Sequence, residues 1–114
     1  MTENRKMKRW HVIYYLRIFE QDAGSLLGHL VDITTEGIKM VSENPVPIKR
    51  DFRLKMDVPL EGKKTEEVFF DARSLWTEKD TNPDFYATGF HLEKPNMKTI
   101  KVIQALIAEL SFDD

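Results

Sequence analysis

At 114 residues, with 41% hydrophobic and 32% charged side chains, the chain is long enough to bury one core and too short for two domains and a linker. Its formal charge of −2 supplies no basic field to steer it toward a nucleic acid polymer, and the absence of cysteine removes disulfides, thiol nucleophiles and most zinc frameworks. No apolar run approaches the roughly 18 to 20 residues of a membrane span, and the opening MTENRKMKR leads into no cleavable leader, so a cytoplasmic protein without membrane insertion is expected.

The first nine residues concentrate positive charge, with Arg5, Lys6, Lys8 and Arg9 against the single acid Glu3. From His11 to Glu20 the chain is rich in Val, Ile, Tyr, Leu and Phe and is followed by Asp22, Ala23 and Gly24, which predicts a strand entering a hairpin. A second strand is expected over 25–33. After the short break from Thr34 to Gly37, a third covers 38–41, before Asn44, Pro45, Val46 and Pro47 impose a loop.

Phe52, Leu54, Met56 and Val58 alternate with Arg53, Lys55 and Asp57, the period of two that marks a strand with one face buried. Pro59 to Lys64 reads as a turn. Val68, Phe70, Ala72, Ser74 and Trp76 then alternate with Phe69, Asp71, Arg73 and Leu75, predicting a longer strand in which Trp76 shares a face with Val68 and Phe70. Asp80 to Asp84 makes the next turn, and a sixth strand follows over 85–92. Past Pro95 the apolar residues Ile100, Ile103, Leu106, Ile107 and Leu110 recur at three and four, predicting an amphipathic helix over about 95–111 with Asn96 as its cap. Six strands joined by turns and closed by one helix predict an all-β fold and favour an antiparallel barrel or sandwich over any βαβ architecture.

Two constellations suit ligand binding. Arg5 and Arg9 form RxxxR, and each guanidinium offers a planar fork of donors that fits phosphate oxygens or the O6/N7 edge of guanine. A bare RxxxR is also what a solvated basic terminus looks like. The second, at the break between strands two and three, is Asp32, Thr34 and Gly37, written DxTxxG. The carboxylate can accept N–H donors from the Watson–Crick edge of guanine, the hydroxyl can hold the local backbone or a ligand atom, and the glycine permits positive φ or close approach. An ordinary turn uses the same residues.

Catalytic patterns are missing. His11, His29 and His91 fall on three different predicted strands, so no histidine pair has metal-binding spacing. The chain contains no GxSxG and no glycine-rich phosphate loop. No enzyme, no metal and no cofactor are expected.

RxxxR, a first strand and hairpin, and then DxTxxG resemble the PilZ family, whose pattern is RxxxR followed by [D/N]xSxxG. Leu75 with Trp76, and Gly89 with Phe90, look like the family's later strands, and the resemblance spans essentially the whole chain. It implies a six-stranded antiparallel β-barrel of split-barrel type over 11–114 with a C-terminal helix, preceded by a basic, flexible ligand-binding segment over 1–10. It implies that cyclic di-GMP is the ligand. Arg5 and Arg9 match the arginines that grip phosphates and guanines, Asp32 matches the guanine-reading acid, and Gly37 matches the motif glycine. Thr34 stands where the family has serine, keeping the hydroxyl while adding a methyl group and χ1 stiffness.

Trp76 matches a position where a tryptophan of this family can lie beside the ligand, with core packing as the other reading; Lys6 and Lys8 are candidates for auxiliary phosphate contacts, the other reading being that they only raise the local potential. The expected function is a receptor that changes conformation on binding the second messenger and signals in trans to an unidentified protein partner, as a monomer or homodimer. The alternative is a PilZ-type interaction scaffold that binds no nucleotide. A barrel for single-stranded nucleic acid would need basic and aromatic residues across its faces, which the charge of −2 opposes.

Overall fold

The computed structural model describes residues 16–59 and 65–110. Six strands, β1 (Arg17–Glu20), β2 (Leu26–Ile33), β3 (Gly37–Ser42), β4 (Asp51–Pro59), β5 (Thr65–Lys79) and β6 (Tyr86–Glu93), precede one helix, α1 (Met97–Leu110). The strands close into an antiparallel barrel in the order β1-β2-β3-β6-β5-β4, so the sheet presents no free edge along its paired length. The part of the predicted first strand before Leu16 and the predicted turn over 60–64 lie outside the described residues.

Alternation builds the core. Along β4, Phe52, Leu54, Met56 and Val58 are buried while Asp51 and Arg53 are exposed. They join Ile18, Leu30, Met40, Phe70, Ala72 and Leu92 in one cluster that also takes Ile103 and Leu106 from α1. Burying each large aliphatic of this kind is worth roughly 1.5–3 kcal/mol, which is how the period of two and the helical period become one core. Asn96 caps α1, its Oδ1 accepting the Thr99 N–H at 2.8 Å, and the Thr99 hydroxyl donates to the Phe69 carbonyl at 3.1 Å, fastening the helix to β5. The β1–β2 hairpin closes through the Gly24 N–H on the Glu20 carbonyl at 2.8 Å, with Gly24 at φ +72°.

Strand β5 departs from the predicted pattern. It runs three residues further at each end than expected, and its register against β6 shifts between Ser74 and Trp76, pairing Ser74 with Phe90 but Trp76 with Gly89. A bulge inserts a residue that has no partner and reverses the inward and outward parity beyond it. Val68, Phe70, Ala72 and Ser74 point inward, Leu75 and Trp76 are both exposed, and Thr77 returns to the interior, bonded to the buried Thr88 at 2.7 Å. Trp76 therefore does not share a face with Val68 and Phe70 and stands outside the buried core cluster.

The bulge is braced from within. The Ser74 hydroxyl donates to the Pro47 carbonyl at 2.7 Å and accepts the Arg50 N–H at 3.1 Å, while the Thr77 hydroxyl reaches the Val46 carbonyl at 3.1 Å. The proline-containing loop after β3 is thereby tied to both flanks of the bulge.

Candidate ligand-binding face

Strand β2 is also bulged where it pairs with β3. Leu30 pairs with Met40 and Asp32 with Lys39, leaving Val31 between them. In regular alternation Asp32 would follow Gly28 and Leu30 into the core. The bulge turns it outward instead, and Ile33 takes the buried position. A carboxylate buried alone would be strongly unfavourable, so the bulge makes this acid available on the surface. The Ile33 N–H donates to Asp32 Oδ1 at 2.9 Å, orienting the carboxylate while leaving most of its acceptor capacity open.

The β2–β3 connection is organised by Thr34. Its N–H donates to the Gly37 carbonyl at 2.9 Å. Its Oγ1 accepts the N–H groups of Glu36 and Gly37, each at 3.1 Å, and lies 3.4 Å from the Gly37 carbonyl. The turn thus occupies both acceptor positions of the threonine hydroxyl. Gly37 is required by space, because a Cβ there would collide with the Phe90 carbonyl oxygen of β6, and the approach is consolidated by the Leu92 N–H on the Glu36 carbonyl at 2.8 Å.

On the other side of β6, the Trp76 indole lies across Gly89, where a Cβ would meet its Cε2 and Nε1 atoms. The bare backbone of Gly89 seats the ring, and 38% of the residue stays exposed. Asp32, Thr34, Gly37 and Trp76 thus line one open depression of about 270 Å³, together with Lys39 and Leu75. Sequence reasoning did not single out Lys39. The signal was its place two residues after Gly37, but whether a strand residue faces the site depends on register.

Arg5, Lys6, Lys8 and Arg9 lie outside the described residues. A larger depression of about 550 Å³ is lined by the carboxylates of Glu20, Asp22, Asp51, Asp71 and Glu93 against Arg50 and Arg53. Arg53 faces Asp22 at 3.9 Å, and the acid excess makes this second depression unsuited to phosphates. Among the described residues no group of three or more His, Asp or Glu side chains is arranged to hold a metal ion, and no helix is long and apolar enough to cross a membrane.

The sequence matches the family model described as PilZ domain over residues 3–109. No curated protein matches the chain in sequence. Among solved structures, the fold is similar to the Bacillus subtilis inhibitor of motility MotI/DgrA, with a TM-score of 0.68 and 14% identity, covering 83% of this chain and 46% of that one. It is likewise similar to the PilZ domain with c-di-GMP of YcgR from Escherichia coli, with a TM-score of 0.61 and 16% identity over 87% of this chain and 82% of that one. The Borreliella burgdorferi PlzA protein, solved in complex with c-di-GMP, gives a TM-score of 0.55 and 11% identity over 95% of this chain and 50% of that one. The chain thus spans about half the length of the Bacillus and Borreliella proteins.

Proposed function

Because the chain belongs to the PilZ domain family, whose model matches residues 3–109, we propose that it is a receptor for cyclic di-GMP. The observation that carries this reading is the outward turn of both Asp32 and Trp76, at separate bulges, into the depression held by Thr34 and Gly37. An exposed, oriented carboxylate offers acceptors to the N1–H and N2–H donors of guanine, and an indole seated on bare backbone offers a flat face to a base or a guanidinium.

Arg5 and Arg9 supply the phosphate contacts in this reading, since a dianionic ligand needs cations and Lys39 is the one cation lining the described depression. Lys6 and Lys8 raise the local potential. Ligand binding draws the basic segment against the barrel and changes the surface offered to a partner protein. The module performs no chemistry.

Calorimetric titration with cyclic di-GMP tests the reading, using the wild type, Arg9→Ala and Asp32→Ala. We expect saturable heat with the wild type and an affinity at least tenfold lower in each variant, equivalent to about 1.4 kcal/mol for each lost charge-assisted contact. Absence of heat at micromolar wild-type protein overturns it in favour of a scaffold that binds no nucleotide. Binding unaffected by both substitutions moves the site elsewhere.

A further inference from the structure

The strand registers place four outward positions in one transverse row across the barrel. Asp32 on β2 pairs with Lys39 on β3, Lys39 pairs with Gly89 on β6, and Gly89 pairs with Trp76 on β5. Neighbouring strands lie about 4.8 Å apart, so the row sets a carboxylate beside an ammonium, with the Trp76 indole lying across the Gly89 backbone on the far side of the ammonium. Asp32 and Lys39 are both exposed, and neither forms an ion pair with a described residue.

The Watson–Crick edge of guanine presents two adjacent donors, N2–H and N1–H, and then the acceptor O6. A carboxylate satisfies the two donors and has nothing to give the acceptor. Adenine reverses the pattern at the corresponding positions, with the acceptor N1 and the donor N6–H, and so opposes both a carboxylate and an ammonium. Asp32 without a neighbouring donor reads two-thirds of the guanine edge. Lys39, its direct cross-strand partner, carries three N–H donors on a flexible stem long enough to reach past the adjacent strand position.

We propose that Lys39 donates to O6 of the guanine held by Asp32, so that the two side chains together select guanine over adenine. This rests on the receptor reading above. Lys39 contributes selectivity, whereas a purely electrostatic phosphate contact would attract any cyclic dinucleotide equally. Lys39→Met keeps the length and apolar stem of the side chain and removes its donors, and Lys39→Arg restores a donor.

The test is titration of wild type, Lys39→Met and Lys39→Arg with cyclic di-GMP and with cyclic di-AMP, after thermal melting has shown that the exposed substitutions leave the fold intact. The expected result is about a tenfold loss for cyclic di-GMP in Lys39→Met, in line with the cost of one lost base-edge contact, a smaller change for cyclic di-AMP, and recovery in Lys39→Arg. Equal losses for both dinucleotides overturn the proposal in favour of a phosphate contact, and no loss for cyclic di-GMP overturns it outright. A wild type that binds neither dinucleotide overturns the receptor reading itself, which the first titration distinguishes from failure of Lys39 alone.

Discussion

Thr34 organises the β2–β3 turn by binding its own backbone at the rim of the depression. Its hydroxyl accepts the N–H groups of Glu36 and Gly37, and serine would satisfy the same partners. The methyl group of threonine therefore leaves the turn's hydrogen bonds unchanged. Thr34→Ser is expected to change cyclic di-GMP affinity by less than about twofold. Thr34→Val removes the hydroxyl at nearly constant shape, freeing two exposed N–H groups for water, and should cost about 0.5–1.5 kcal/mol of stability together with a measurable loss of affinity as the Asp32 side of the turn loosens. Parallel urea melts and calorimetry read both effects. An unchanged affinity in Thr34→Val would separate the turn from the site. Gly37 and Gly89 act at the same scale, each giving up a side chain so that a neighbour, the Phe90 carbonyl or the Trp76 ring, can come close.

At the scale of elements, the bulge of β2 against β3 and the bulge of β5 against β6 decide what this face of the barrel displays. Both fall in strands whose simple alternation would carry Asp32 and Trp76 inward, and both send these residues out toward the same depression. A bulge persists only where surrounding contacts outweigh the lost ladder pairing, and for β5 those contacts are the Ser74 and Thr77 hydroxyls holding the loop over 46–50. Ser74 is fully buried, so Ser74→Ala strands the Pro47 carbonyl and the Arg50 N–H without their partner. We expect a loss of about 1–3 kcal/mol by urea denaturation with an unchanged m-value. A loss below about 0.5 kcal/mol, the range of an ordinary surface change, would show that the brace is dispensable.

For the molecule as a whole, charge is arranged by region. The net charge is −2, yet the first nine residues are strongly basic, while the larger depression gathers five carboxylates. If the Arg5 and Arg9 contacts to phosphate dominate binding, cyclic di-GMP affinity falls as salt rises from low to physiological ionic strength, because exposed charges are screened beyond about 8–10 Å. Titration across a salt series checks this, and a flat response would assign the affinity to Asp32 and Trp76 instead. By itself the sequence determined the strand count, the antiparallel class, the capped terminal helix and the DxTxxG turn. These follow from periodicity and from side chains acting on their own backbone, both of which are local. The orientation of Trp76 and the row that joins Asp32 to Lys39, Gly89 and Trp76 were decided only by the tertiary structure. One unpaired residue in a strand reverses every face beyond it, and what stabilises that residue is a loop some 25 positions away in the chain or a partner strand whose register no local pattern encodes.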